Sequence, residues 1–377
     1  MSLPAKVAVV GIHGHGASHV RAVAELDAKG TARLSAVVDP REPAPDESDA
    51  PWFPTLGDLL SSPDESVRPD VVVLATPIHT HLPLARVAME AGVDVLLEKP
   101  TAASLVEHAE LVAVAERTGR RCQVGFQTFG SHAVAAAADL VARGEIGDVL
   151  GVGAVGTWVR TAGYWGRAPW AGRRRLDGRA VVDGVVTNPL AHAVATALRI
   201  GGARTAEDVS YVDVDLWRAN PIEADDTSAV RVVGTDGTRY GFGLTLCASE
   251  RTPAKILVLG TDGELELEYE HDIVRLRTPR VTAEKSYVRT PLLDDLLAAR
   301  QDPARRLLCD VGETGAFMRV LDAVRTASEP TAIDPSCVEW FGEGDDRRPV
   351  VRDVAAWCER VAREQRTFTE LGAPWTS

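Results

Sequence analysis

Residues 70 to 100, DVVVLATPIHTHLPLARVAMEAGVDVLLEKP, constrain the fold more tightly than any other stretch. The β-branched run Val71 to Leu74 reads as a strand buried on both faces. Ala75-Thr76-Pro77 ends it. Leu82 to Ala91 then has helical spacing, with Leu84, Val87 and Ala88 on one face. Gly92 closes the helix, and Val93 to Leu97 is a second strand. A strand, a helix and a strand in so short a span predict parallel pairing. The second strand delivers Glu98-Lys99-Pro100 at its carboxyl end, where open parallel sheets bind their ligands. Pro100 restricts Lys99 as well as itself, so the lysine is aimed.

The same alternation fills the first ~125 residues and predicts a parallel sheet. Lys6 to Val10, Leu34 to Val38 and Cys122 to Phe126 read as strands, and Ala17 to Ala28, Leu56 to Ser61 and Leu105 to Thr118 as helices. After about residue 150 the texture changes. Segments near 151–159, 209–218, 228–234, 239–247, 254–259, 264–269 and 272–277 look like strands. Turn signals such as Thr235-Asp236-Gly237 and Thr261-Asp262-Gly263 separate several of them. This predicts a mostly antiparallel sheet with a helix at Pro189 to Ile200 packed on it. Helices near 291–300, 305–327 and 350–366 follow. The expected domains are 1–126, 127–349 and a helix and tail at 350–377. A sheet covered on one side needs a cover for the other, so a homodimer or homotetramer is expected.

With 377 residues, 45% hydrophobic and 25% charged, the chain can build two sizeable cores. A net charge of −13 argues against nucleic acid, since Arg173-Arg174-Arg175 is the one basic cluster. The five cysteines are scattered and show neither metal spacing nor a disulfide framework. No apolar run nears the ~18 residues of a membrane helix. Met1 to Lys6 leads straight into a strand rather than a signal peptide, so a cytoplasmic protein is expected.

KVAVVGIHGHGASHV reads as strand, glycine-rich turn and helix, the arrangement that seats a pyrophosphate on a helix N-terminus. Gly11 and Gly16 fit the first and third glycines of G-x-G-x-x-G. His13 stands at the second. Either Gly14 carries a shifted turn, or His13 donates a hydrogen bond to phosphate. Asp39 ends the second strand 23 residues past Gly16 (39 − 16). A carboxylate there accepts from the adenosine ribose and repels a 2′-phosphate, favouring NAD. Arg41 keeps NADP open, and Asp39 is also suited to start a turn before Pro40. His13, His15 and His19 crowd one turn and His79 and His81 make H-x-H, yet no metal site is expected.

The ordered block TP-x-x-x-H, helix, Ala-Gly, strand and EKP resembles the Gfo/Idh/MocA oxidoreductases, which include glucose–fructose oxidoreductase and inositol 2-dehydrogenase. Members carry histidine at the positions of His19 and His81. The resemblance implies an α/β protein, with an N-terminal NAD(P)-binding Rossmann domain and a C-terminal α+β domain with a large, mostly antiparallel open sheet. It implies NAD as cofactor and a sugar, inositol or related polyol as substrate. Thr76, Pro77, His81, Glu98, Lys99 and Gln127 join the cofactor side, Gln127 through the family's F-[NQ]. DGVVTNPLAH is similar to the family's GG-x-x-x-D-x-x-x-H. Gly184 fits the second glycine, Asn188 replaces the aspartate, and His192 fits the histidine. At i, i+4 on one helix, Asn188 and His192 would share a face. His192 would take a hydroxyl proton, Lys99 would stabilise the same oxygen, and Asn188 would position a hydroxyl. Asn188→Asp, which restores the family residue, is expected to be tolerated. RTAGYWGRAPWAG resembles R-x-x-x-YY…W-x-G, making Arg160, Tyr164, Trp165 and Trp170 walls of a sugar pocket. Trp165 and Trp170 fit core or subunit contact equally well. Two alternatives stand beside the dehydrogenase: a glycoside hydrolase that uses NAD transiently, and a non-catalytic sugar or nucleotide sensor.

Overall fold

The computed structural model describes residues 3–377; Met1 and Ser2, part of the stretch read above as leading into a strand, lie outside the described residues. By compactness the chain divides into Met1–Gly125 with Pro291–Gly312, and Phe126–Thr290 with Glu313–Ser377. The segment 291–312, which the sequence reading left in the second domain, thus belongs with the first unit. No helix among the described residues is long and apolar enough to cross a membrane.

The first unit runs β1 (Ala5–Val10), α1 (Gly16–Ala28), β2 (Ala32–Val38), β3 (Trp52–Phe53), α2 (Leu56–Leu60), β4 (Val71–Leu74), α3 (His81–Glu90), β5 (Asp94–Leu97), α4 (Leu105–Thr118) and β6 (Cys122–Val124), and regains α8 (Leu292–Gln301). Its six strands pair in parallel in the order β3-β2-β1-β4-β5-β6. The order reverses direction between β1 and β4, and ligands bind at that switch point in such sheets. All four side chains of β4 are fully buried, each contributing roughly 1.5–3 kcal/mol of hydrophobic stabilisation. Helix α3 buries Leu82, Ala85, Ala88 and Met89, while Val87 is exposed. The expected face of Leu84, Val87 and Ala88 is therefore rotated by about a residue. Polar stitching explains why 291–312 joins this sheet. The Gln123 amide on β6 donates to Asp295 Oδ2 at 2.8 Å and accepts from the Cys309 N–H at 2.9 Å. Arg300 pairs with Asp94 on β5.

The second unit holds α5 (His132–Ala142), β7 (Val149–Thr157), α6 (Ala162–Trp165), the hairpin β8 (Arg175–Leu176) and β9 (Arg179–Ala180), and α7 (Ala191–Ile200). Strands β10 (Val209–Arg218), β11 (Thr227–Gly234), β12 (Arg239–Thr245), β13 (Lys255–Gly260), β14 (Glu264–Glu268), β15 (Ile273–Arg277) and β16 (Thr282–Ser286) follow. Then come α9 (Gly315–Thr326), β17 (Thr331–Ala332), the hairpin β18 (Val338–Phe341) and β19 (Arg348–Val351), α10 (Val354–Glu364) and α11 (Phe368–Leu371). Nine strands form one sheet in the order β16-β15-β14-β13-β7-β12-β11-β10-β17, antiparallel except for β12 with β7 and β10 with β17.

This open sheet carries helices on both faces, whereas cover on one side only was expected. Helix α7 packs on one side of β7. On the other, Cys358, Val361 and Ala362 of α10 join Phe368 and Trp375 over Val155, Ala229 and Leu257. Glycines in β7 and β12 admit α10 closely: a Cβ at Gly153 would stand 2.7 Å from Ala362, and one at Gly243 2.2 Å from the Cys358 carbonyl. Beyond α10 that face is charged and paired, with Arg363 on Glu264 at 2.6 Å, Lys255 on Glu359 at 3.0 Å and Arg275 on Glu266 at 2.9 Å. The premise for a subunit seated there, an uncovered apolar face, is absent.

Candidate functional site

In the first unit the glycine-rich turn fills the switch point. Gly11 has φ +81°, and a Cβ there would meet the Ala75 carbonyl at 2.7 Å and Thr76 Cγ2 at 2.8 Å. A Cβ on Gly16 would lie 1.7 Å from the Gly11 carbonyl oxygen. Neither position admits a side chain. Gly14 turns left-handed at φ +73° with open space around it, as a shifted turn requires. Arg41 Nε, which can only donate, is 3.0 Å from His13 Nε2, so that nitrogen accepts. His13 Nδ1 then donates to Glu47 Oε1 at 3.1 Å. Both ring nitrogens are engaged within the protein, which favours the shifted turn over the phosphate ligand. His13→Gly is expected to leave NAD affinity within ~3-fold in a calorimetric titration, since both ring nitrogens are bonded to Arg41 and Glu47. A loss beyond ~10-fold restores His13 as a phosphate ligand.

Asp39 ends β2 with a nearly buried carboxylate. Its Oδ2 accepts from the Ile12 N–H at 3.2 Å and its Oδ1 from the Arg41 N–H at 3.0 Å. It starts the turn and fixes a negative charge beside the glycine loop. The donors of the turn and this carboxylate suit a dinucleotide: backbone close enough for a pyrophosphate and an acceptor for the ribose.

Lys99 follows a bracket that sequence reasoning missed. Glu98 is buried, and its Oε1 lies 2.8 Å from His19 Nε2 and 3.3 Å from His15 Nε2. Its Oε2 accepts from the Lys99 N–H at 3.2 Å. Burial alone would raise the Glu98 pKa, but the hydrogen bonds from His15 and His19 outweigh it and hold the carboxyl well below its usual range. The bond to Glu98 raises His15 in turn. His81 is fully buried and burial lowers its pKa. It sits 2.9 Å from both the Thr76 and Pro100 carbonyl oxygens, tying the ends of β4 and β5 together. Glu98 and His81, both expected on the cofactor side, brace the backbone that carries Lys99. Thr76 is half-buried with its hydroxyl 2.7 Å from that of Thr80, and Pro77 is exposed. His15, His19 and Glu98 are the trio of described residues whose ligating atoms gather within 4.8 Å. Their mutual hydrogen bonds give the arrangement a role that needs no metal.

In the second unit, Phe126 leads into Gln127 and packs edge-on against His192, centroids 5.6 Å apart. Gln127 is half-buried. His192 lies half-buried in the first turn of α7. Asn188 does not share that helix. It stands in the turn before it, its N–H donating to the Gly184 carbonyl at 3.0 Å. The i, i+4 helical pairing expected from the sequence is thus replaced by a turn, because Pro189 withholds an N–H just before the helix. The Asn188 side-chain amide donates to Asp183 Oδ1. Asp183 is 2% exposed, and its other oxygen accepts from the Gly172 N–H at 2.8 Å and from Arg167 at 3.0 Å. A Cβ on Gly184 would come within 1.8 Å of Asp225 Oδ1, so that glycine is obligatory. Burial raises the Asp225 carboxyl. Val182, just upstream, takes φ +47°, a conformation that costs a β-branched residue ~1–3 kcal/mol.

Cations and rings alternate along the segment after β7. Arg160 lies over Trp158 (5.1 Å) and Tyr164 (4.6 Å), and Arg167 over Tyr164 (3.7 Å) and Trp170 (4.6 Å). Trp165 meets Tyr164 edge-on at 4.9 Å. Burial pushes the Tyr164 phenol up. The expected pocket residues Arg160, Tyr164, Trp165 and Trp170 therefore form one connected group, joined through Arg167 and Asp183 to Asn188.

Comparison with known proteins agrees with this geometry. Residues 5–126 match the model of an oxidoreductase family with an NAD-binding Rossmann fold, Gfo/Idh/MocA. A dTDP-3,4-didehydro-2,6-dideoxy-alpha-D-glucose 3-reductase of Streptomyces violaceoruber is 26% identical over 69% of this chain and 77% of its own. An inositol 2-dehydrogenase of Saccharopolyspora erythraea is 38% identical over 32% of this chain and 36% of its own. The crystal structure of the WlbA dehydrogenase from Bordetella pertussis, in complex with NADH and UDP-GlcNAcA, superposes with a TM-score of 0.68 at 21% identity, over 85% of this chain and 95% of that one. The glycine turn, Asp39 and the strand-end lysine all lie within the matched residues 5–126, and over this stretch the chain is similar to the NAD-binding Rossmann domain of the Gfo/Idh/MocA oxidoreductases.

Proposed function

We propose that the protein is an NAD-dependent dehydrogenase acting at a secondary alcohol or ketone of a sugar, inositol or related polyol, free or nucleotide-linked. The observation that carries this reading is Lys99. It emerges at the carboxyl end of β5, the ligand-binding edge of such sheets, with its backbone braced by Glu98, His15, His19 and His81. The glycine turn and Asp39 would hold NAD, which when bound exchanges hydride with the substrate carbon. The remaining chemistry falls to side chains. His192 takes the hydroxyl proton in oxidation and returns it in reduction. Lys99 donates to a substrate oxygen and offsets its developing charge. Asn188 orients a hydroxyl, its amide held by Asp183. Assembly through the α10 face is no part of the proposal. The reaction is tested by following NADH formation across a panel of sugars, inositols, sugar acids and nucleotide sugars. Failure to turn over any member removes it.

Cofactor choice gives a second expected outcome. Asp39 should make NAD(H) bind more tightly than NADP(H), and Asp39→Ala should narrow that ratio by at least ~10-fold, the effect of removing one close like-charge contact. Titration of both cofactors into both proteins measures it. An NADP(H) preference that survives the substitution contradicts the role given to Asp39.

A further inference from the structure

The segment after β7 holds three donors that the protein leaves unsatisfied. Trp158 Nε1, Arg160 Nε and Trp165 Nε1 are each buried, and none meets an acceptor from the protein. Indole and guanidinium nitrogens can only donate. Orphaned buried donors are rare in folded proteins, and each calls for an explanation. These three belong to one group, with Arg160 over the Trp158 ring and Tyr164 linking Arg160 to Trp165. Trp158 and Arg160 are two apart in an extended stretch, their N–H groups donating to Thr245 and Leu246 at 2.9 and 3.0 Å, so they share a face.

Charge separates Arg160 from its neighbours. Arg167 pairs with Asp183 at 3.0 Å, and Arg251, over the Trp158 ring at 4.8 Å, pairs with Glu270. Arg160 makes no ion pair among the described residues; its Nη1 donates to the neighbouring Val159 carbonyl at 3.0 Å, and its guanidinium also bonds the Tyr164 phenol. A guanidinium held between two rings, uncompensated and flanked by unsatisfied donors, asks for a ligand rich in acceptor oxygens and negatively charged. The group adjoins the Arg167–Asp183–Asn188 network.

We infer that Trp158, Arg160 and Trp165 receive an anionic oxygen group, a carboxylate or a phosphoryl, on the sugar substrate. The preferred substrate is then an acidic or phosphorylated sugar rather than a neutral polyol. This rests on the reading of the protein as a sugar dehydrogenase. The guanidinium takes the charge, and the two indole N–H groups donate to the same oxygens.

The test is calorimetric binding to the full-length, NAD-loaded protein of matched pairs: neutral sugars against their uronates, and neutral sugars against their phosphates. At least one acidic member should bind ~10-fold or more tighter than its neutral counterpart, the effect of one charge-assisted hydrogen bond. The uronate and phosphate arms decide which anion the site takes. Arg160→Gln should bring that ratio close to one, and Arg160→Lys should restore part of it. A panel in which no acidic member outbinds its counterpart overturns the inference, as does an Arg160→Gln variant that weakens both members of a pair equally. Turnover of neutral sugars without acidic preference rejects the anion site and leaves the dehydrogenase standing. Arg160-dependent binding of an acid without turnover of any sugar does the reverse.

Discussion

His192→Ala should lower kcat by ~10²–10⁴-fold, the usual contribution of a positioned general base, while NAD affinity stays unchanged. His192 is half-buried in the first turn of α7 against Phe126, and it belongs to the second unit, whereas the glycine turn and Asp39 belong to the first. A loss of turnover with intact cofactor binding would therefore separate chemistry from folding. Lys99→Ala should act on the same quantity by ~10²–10³-fold, because it removes a donor to a developing oxyanion. If both groups serve one oxygen, the double variant should lose much less than the product of the single losses. Steady-state kinetics on the best substrate of the panel, with cofactor titrations on each variant, measures all three. Near wild-type kcat for His192→Ala across about pH 6 to 9 would make the histidine a packing residue and end the mechanism.

The first unit was largely legible because its information is local. A run such as Val71 to Leu74, β-branched and bounded by turn residues, reads as the buried strand it forms, and Gly11, Gly14 and Gly16 mark a turn by what their missing Cβ atoms permit. Strand order follows from repeating short crossovers of one hand. Contacts between distant segments were not legible. Nothing in a single sequence pairs His19 with Glu98, 79 residues apart, or lays α10 over the glycines of β7 and β12. Those glycines, alternating as Gly151, Gly153, Gly241 and Gly243, were the available signal: a strand that gives up side chains at every second position invites another backbone onto that face. The amphipathic pattern of 350–366 was read correctly as a helix, but periodicity says which face is apolar and not what covers it. At the substrate side, spacing placed Asn188 and His192 on one helix, and the turn chemistry of Pro189 overrode it.

Asn188→Asp is the substitution on which spacing and structure disagree most. The motif alone makes it a restoration. The structure makes it a confrontation, because the Asn188 amide donates to the buried Asp183 carboxylate. The substitution replaces a donor by a second acceptor. It removes a charge-assisted hydrogen bond, ~1.5–3 kcal/mol, and sets two carboxylates at contact distance. Arg167 and the Gly172 N–H, already bonded to Asp183, offset part of the repulsion. A net loss of about 2–4 kcal/mol in unfolding free energy near pH 7 is expected, with a fall in substrate affinity as the turn relaxes. The pH dependence has a defined sign. Two close carboxylates raise the pKa of the pair above the unfolded value of about 3.9, so the folded variant binds the extra proton more readily than the unfolded chain. Its deficit should be full above the raised pKa and shrink as pH falls toward about 4. Asp183→Asn combined with Asn188→Asp returns one carboxylate and one amide to the contact, and should recover at least half of the lost stability. Chemical denaturation of the wild type, both single variants and the double variant gives the coupling energy directly. A single Asn188→Asp variant as stable and active as the wild type at pH 8 would mean that Asp183 does not hold the Asn188 amide in solution.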